Sequence, residues 1–264
     1  MTLKGCICVD DSCVEKAEMK VTPNDNSKEE EEVVVVGGEE IAFVNQISNL
    51  AMIQKDVVQL VVFRQKENKI LTLLEDDLSK IQPSNLPSFE GIVTPDSVKE
   101  TIQSIFYPRY KLRSKKHSIM NDDDDMKQAL IDDIYQLVRI FADISQSDSV
   151  FLKLEVVQDN ACAFWHQDCV EFRLVKTYLG PCTEWVAPTH SKATLRQRQN
   201  NSQHSQSFSP GDAALFKGRG DTADSDDEYF NHPGIVHRSP RIKEGSGTFR
   251  FVLVLDVPQE GWHY

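Results

Sequence analysis

The residues best suited to chemistry stand in the segment FWHQD, residues 164–168. His166 and Asp168 are two apart, so on an extended chain they project to the same side. An imidazole and a carboxylate can then reach one metal ion. A second imidazole has to come from elsewhere, and His237 in GIVHRSPR is the best-placed candidate, with His232 in reserve. Two histidines and one carboxylate on one face of an ion leave the other face open, which is what O2 plus a chelating co-substrate require. Alone, His-x-Asp is a common pairing, and a histidine hydrogen-bonded to a neighbouring acid accounts for it as well. Order and context add weight. The pair closes a strand-like run, a Gly-Asp turn and an apolar strand follow in GDAALF (211–216), and His237 opens a basic segment. Arg250 lies in the last strand, 250 − 237 = 13 residues on.

The other candidates carry less. Cys162 lies four before His166, and a thiolate there would favour zinc over a ferrous centre. A small buried residue is the plainer reading of a free cysteine. Cys169 should face away from His166 and Asp168 on strand parity. Cys6, Cys8 and Cys13 supply three thiols, short of a closed tetrahedral site. His190, His204 and His263 have no partner pattern. Ser239 reads as a phosphosite or as a strand-end turn, and Trp165 and Trp185 as core or pocket wall. No Gly-x-Ser-x-Gly elbow, phosphate loop or dinucleotide fingerprint occurs.

Charge narrows the partners. The 264 residues carry 29 Lys and Arg against 41 Asp and Glu, a net of −12. Residues 1–40 hold 4 Lys and 11 acids (−7), and DTADSDDE at 221–228 adds −5, so the remainder is neutral. An acidic balance argues against nucleic acid and against an anionic membrane surface. No run reaches the length of a membrane span, and the first residues lack the apolar stretch of a secretory signal. Six cysteines in two distant clusters make a poor disulfide framework, so a reducing, cytoplasmic chain is expected.

These side chains need elements to position them. Residues 1–40 read as a disordered acidic leader, with Val33–Val36 as a short strand at most. VVQLVVFR (57–64) reads as a buried strand. LTLLEDDLSKI (71–81) and TPDSVKETIQSIF (94–106) read as helices, the second capped by Thr94 with Pro95 at its first position. Residues 124–146 form the clearest helix, with Leu130, Ile134, Leu137, Phe141 and Ile144 on one stripe. Asp122–Asp125 suits a helix N-terminus and lacks the spaced ligands of a calcium loop. From Ser149 the pattern turns to strands, in VFLKLEVV, VEFRLVKTYL, DAALFK and FRFVLVLDV. The expectation is an α+β chain, with a mainly helical part at 41–148 packed on a β domain at 149–258. A polar, mobile insertion at 189–209 and an acidic loop at 219–231 interrupt that domain.

The order of motifs resembles the double-stranded β-helix (jelly-roll or cupin-like) oxygenases that use Fe(II) and 2-oxoglutarate. That resemblance implies His166, Asp168 and His237 as metal ligands and Arg250 as the anchor of the far carboxylate of 2-oxoglutarate, a task suited to its bidentate fork. Lys176 and Tyr178 are weaker candidates for the anchor. A closer resemblance is to the family termed domain of unknown function 1826, whose motifs stand here at 166–168, 177–185, 211–218 and 237–240. It spans residues 40–258 loosely and 150–256 well. Cys182 stands where that family has glycine. Bacterial members resemble proteins of zinc-limitation regulons, which implies a link to zinc homeostasis. Two functions follow. One is an oxygenase hydroxylating a small molecule or a protein. The other is a non-catalytic protein that binds or handles a metal, with zinc in place of iron. A third, plainer reading is an interaction module with a vestigial site.

Overall fold

The structure, a computed structural model, describes residues 33–36, 40–65, 70, 72, 81–107, 121–160, 162–197, 203–220 and 234–259. Eleven strands run in chain order among them. They are β1 (Val33–Val36), β2 (Ile41–Val44), β3 (Leu60–Phe63), β4 (Phe89–Val93), β5 (Val150–Val157), β6 (Phe172–Leu179), β7 (Glu184–Val186), β8 (Ser205–Ser207), β9 (Ala213–Lys217), β10 (His237–Arg238) and β11 (Arg250–Asp256). Helices α1 (Val98–Phe106), α2 (Asn121–Ser145) and α3 (Pro188–Gln197) join them. The larger sheet has the order β1-β2-β3-β9-β6-β11-β5-β4 and the smaller β10-β7-β8. Every pairing is antiparallel except β2 with β3.

The central strands of the larger sheet are buried on both faces, so alternate residues enter two cores. On one face, Leu174, Tyr178, Leu215, Leu253 and Leu255 meet Leu130, Ile134, Leu137 and Phe141 of α2 and Val98 and Ile102 of α1. On the other, Val175, Ala214, Phe216 and Val252 meet Trp185 of β7, Phe208 and Ile235. The second core therefore lies between the two sheets, and His237 packs its ring against Phe216 there.

The N-terminal part departs from the expected helical half. β1 to β4 join the sheet that β5, β6, β9 and β11 build, with β3 on β9 and β4 on β5. The buried strand expected at 57–64 is β3, whereas short runs such as IAFV and FEGIV carry too little periodicity to distinguish, and distant partners stabilise them. Val33–Val36 is a strand paired with β2, although it falls in the expected leader. α1 begins at Val98 because Thr94 and Ser97 close a turn ahead of it, each side chain accepting the other's backbone N–H, at 2.9 and 3.1 Å. α2 matches the expected long helix closely. The expected mobile stretch 189–209 carries most of α3 and all of β8. Its helix buries Ser191, Thr194 and Leu195, and a mostly polar buried face leaves no apolar period to find. Nearly all of the helix expected at 71–81, nearly all of the loop 219–231 and the leader's first 32 residues lie outside the described residues. Among the described residues no helix is long and apolar enough to cross a membrane.

Candidate metal centre

His166 and His237 meet backbone to backbone. They form an isolated antiparallel bridge, the amide of each donating to the carbonyl of the other at 3.0 Å. His237 belongs to β10, which pairs with β7 through His237–Trp185. The bridge thus attaches the His-x-Asp segment to the outer side of the smaller sheet. The ring centroids of the two histidines lie 4.5 Å apart.

Each imidazole is oriented by its own backbone. His166 Nδ1 lies 2.8 Å from the Phe164 carbonyl, and His237 Nδ1 lies 3.2 Å from the Ile235 carbonyl. A carbonyl only accepts, so Nδ1 carries the proton in each and Nε2 keeps its lone pair in the neutral ring. Both Nε2 atoms face Asp168, at 3.5 Å from Oδ1 for His166 and 3.2 Å from Oδ2 for His237. The three ligand atoms lie within 4.8 Å of one another, and no other such group of three occurs among the described residues.

Asp168 is buried, and its two oxygens differ. Oδ1 meets Arg173 Nη1 at 2.7 Å, whereas Oδ2 is buried and faces His237 Nε2. Burial pushes the carboxyl up, but His237, His166 and Arg173 outweigh it and hold it well below the usual carboxylate range. Burial pushes the His166 imidazole down, and Asp168 and the Phe164 carbonyl more than reverse that, so it titrates above its ordinary value. An ionised, buried carboxylate facing the Nε2 atoms of two imidazoles fits a divalent cation.

Arg250 opens β11 on the same inward face. Its side chain is buried, with Nη1 donating to Ser239 Oγ at 2.9 Å and Nη2 to Thr183 Oγ1 at 2.9 Å and Thr177 Oγ1 at 3.4 Å. Nε has no partner, and among the described residues no carboxylate lies within ion-pair distance. Burial lowers its pKa from the ordinary value, and only more distant anionic groups oppose that. Ser239 lies two residues past His237, so the guanidinium sits beside the strand that carries the second histidine. Gly180 permits this approach. Its φ is +84°, and a Cβ there would stand 2.0 Å from the Phe249 carbonyl oxygen.

Lys176 and Tyr178 do not join this group. On β6 they share a face with Leu174, opposite to Arg173, Val175 and Thr177, and they point to α2. Lys176 Nζ pairs with Asp133 Oδ1 at 2.8 Å, and the Tyr178 hydroxyl donates to Asp133 Oδ2 at 2.7 Å. Burial and that carboxylate push the Tyr178 phenol well up. The expectation that either could anchor a co-substrate beside the triad is corrected by strand parity.

The thiols also stand apart. Cys162 is exposed, at a φ of 57°, and Cys169 is exposed, its Sγ accepting from Arg219 Nη2 at 2.8 Å. Cys182 is buried, and burial pushes its thiol up to about 11. His190 and His204 stack on each other with centroids 3.7 Å apart. His232, His263, Cys6, Cys8 and Cys13 lie outside the described residues.

Three contributors escaped the sequence reading: Arg173, Asp256 and Gly218. The first two show a signal in hindsight, being charged residues inside largely apolar strand runs. Gly218 closes the motif GDAALFKG. A Cβ there would lie 2.1 Å from the Val170 carbonyl oxygen and 2.7 Å from that of Asp168, so the end of β9 can pass the Asp168 loop only as glycine. The loop is further held by Gln167 Nε2, which donates to the Gly234 carbonyl, and by Arg219 N–H, which donates to the Asp168 carbonyl at 2.8 Å.

Comparison with solved structures finds weak likenesses. A full-length Neurospora crassa protein in complex with alpha-KG is 10% identical with a TM-score of 0.35, over 86% of this chain and 88% of that one. A putative oxygenase from Shewanella oneidensis is 10% identical with a TM-score of 0.36, over 75% and 80%. A bsmA homolog from Methylobium petroleophilum is 11% identical with a TM-score of 0.35, over 78% and 91%. Scores this low assign no chemistry to this chain. No curated protein matches it. The sequence profile described as "Protein of unknown function (DUF1826)" matches residues 44–256, most of the chain and all of the site above, and the chain belongs to that family.

Proposed function

We propose that this protein is an Fe(II)/2-oxoglutarate-dependent oxygenase on a double-stranded β-helix. The strand order supports the fold. β5-β11-β6-β9 forms one four-stranded face, and the His166 bridge with β10-β7-β8 forms the other, with a shared core between them. Chain order alternates between the two faces except at β7 and β8, which follow one another on the smaller one, an order compatible with a jelly roll.

One observation carries the activity. A two-histidine, one-carboxylate donor set is joined through Ser239, two residues past His237, to a buried guanidinium that has hydroxyl partners and, among the described residues, no carboxylate partner. A buried cation without an anion is costly. A dicarboxylate co-substrate supplies the missing charge. His166 Nε2, His237 Nε2 and an oxygen of Asp168 would hold the iron. Bound there, iron supplies the redox chemistry by which O2 converts 2-oxoglutarate to succinate and carbon dioxide while one oxygen atom enters the substrate. Arg250 pairs with the far carboxylate, and Thr177, Thr183 and Ser239 aim the guanidinium and take part in the same hydrogen-bond network. Burial of Arg250 and Asp168 keeps water out, which strengthens both interactions. The side chain of His166, 29% exposed, marks the side from which a substrate approaches. The substrate is a small molecule or a protein side chain.

The test is succinate release from 2-oxoglutarate by purified protein. The proposal expects turnover that needs both Fe(II) and O2 and that His166→Ala abolishes. Stoichiometric zinc, bound tightly with no turnover after exchange for iron, contradicts it and favours a non-catalytic metal-binding protein.

A further inference from the structure

We infer that Arg173 is a positioning residue for Asp168 and that Asp256 holds it in that role. The inference rests on the reading of His166, Asp168 and His237 as a metal site. Arg173 and Asp256 face each other directly across β6 and β11. Arg173 Nε donates to Asp256 Oδ1 and Nη2 to Asp256 Oδ2, both at 2.7 Å. This two-point fork fixes the plane of the guanidinium independently of Asp168. The remaining Nη1 then reaches Asp168 Oδ1 at 2.7 Å. Asp256 is 1% exposed and Asp168 8%, so the three charges are held in a largely dry setting.

The arrangement does two things for a cation. First, it selects an oxygen. Oδ1 is engaged by Arg173, and Oδ2, which faces His237 Nε2 rather than the guanidinium, is the donor left over. A carboxylate that offers one oxygen occupies one coordination position, which keeps others open for a chelating co-substrate. Second, it balances charge. Arg173 alone would neutralise Asp168 and repel an incoming cation. The fork with Asp256 cancels the charge of Arg173, so Asp168 keeps its own for the metal. Asp256 thus serves the site without facing the ion.

A plain structural ion pair would stabilise the strands and leave the metal alone. A purely electrostatic effect would predict tighter metal binding once the arginine charge is gone. Positioning predicts the reverse. Mn(II) binding by full-length protein, followed by equilibrium dialysis, separates the three accounts for Arg173→Met, Arg173→Lys and Asp256→Asn. Melting of each metal-free protein is recorded alongside. The expectation is that Arg173→Met weakens Mn(II) binding about 10–100-fold, the usual effect of losing an outer partner of a ligand. Arg173→Lys keeps the charge but not the fork, so it weakens binding as well, by less. If Arg173→Met fails to fold, Arg173→Lys decides alone. Unchanged or tighter Mn(II) binding in the folded variants overturns the inference while leaving the metal site standing. Absence of Mn(II) binding by the unaltered protein overturns the metal site, and this inference with it.

Discussion

His166 and His237 exchange both backbone hydrogen bonds, each at 3.0 Å, while their rings present Nε2 to the same carboxylate. A pair of histidines 71 positions apart (237 − 166) is thereby fixed by the sheet rather than by the side chains. The backbone pairing by itself sets where both rings stand, so a cation held there would order little that the sheet does not already order.

Loss of either imidazole should therefore remove metal binding without unfolding the chain. His166→Ala and His237→Ala are each expected to weaken Mn(II) or Co(II) binding by more than about 100-fold, beyond the usual cost of an outer partner. His237→Ala should also lower the melting temperature, since that residue is buried. Metal content after gel filtration, with melting curves alongside, checks both.

Metal affinity should fall as the solution is acidified. The proton competes for His166 Nε2, and the contact with Asp168 raises that imidazole above its ordinary value of 6.5. The competing charged form is populated below the raised value and vanishes above it. Affinity should thus be full at about pH 8 and lost progressively towards about pH 5. Titrations of Mn(II) across that range check the sign.

Arg250 should matter to the co-substrate and not to the metal. Arg250→Met removes a charge-assisted pair worth about 1.5–3 kcal/mol, or roughly 10- to 150-fold in affinity. Anaerobic calorimetry of 2-oxoglutarate into metal-loaded protein is the measurement. Equal affinity in the variant would make Arg250 a structural cation tied to Thr183 and Ser239.

Asp133 provides the contrasting case. Asp133→Asn leaves Lys176, which is fully buried, without its charge partner. Breaking a buried pair by removing one member costs about 3–5 kcal/mol. Denaturant unfolding should show that loss, and metal affinity should not move, because the cluster lies on the α2 side of the sheet.

The thiols should divide by burial. At about pH 8, iodoacetamide should modify the exposed Cys162 and Cys169 and spare Cys182, whose thiol is pushed up to about 11. Peptide mass mapping before and after denaturation reads this directly.

The grouping of His166, Asp168 and His237 was legible in the sequence because i and i+2 parity is local chemistry and all three stand in short ordered motifs. Motif order singled out Arg250, and its pairing with 2-oxoglutarate is part of the proposal. Lys176 and Tyr178 were misjudged because β6 is buried on both faces, and parity alone does not say which face is the inner one. Only Asp133, on a helix 43 residues upstream of Lys176, decides that. Arg173 and Asp256 escaped for the same reason, since their pairing across β6 and β11 joins positions 83 residues apart. The strands β2 and β4 are four and five residues long and depend on distant partners, so local pattern carried little of them, whereas the apolar run at 57–64 did announce β3.

A crystal structure of the protein grown anaerobically with Mn(II) and 2-oxoglutarate tests the central claim most directly. The account predicts one ion bonded to His166 Nε2, His237 Nε2 and Asp168, with the far carboxylate of 2-oxoglutarate on Arg250. An ion bound elsewhere, or an Arg250 that keeps only Ser239, Thr177 and Thr183 as partners while 2-oxoglutarate lies in another place, would contradict it.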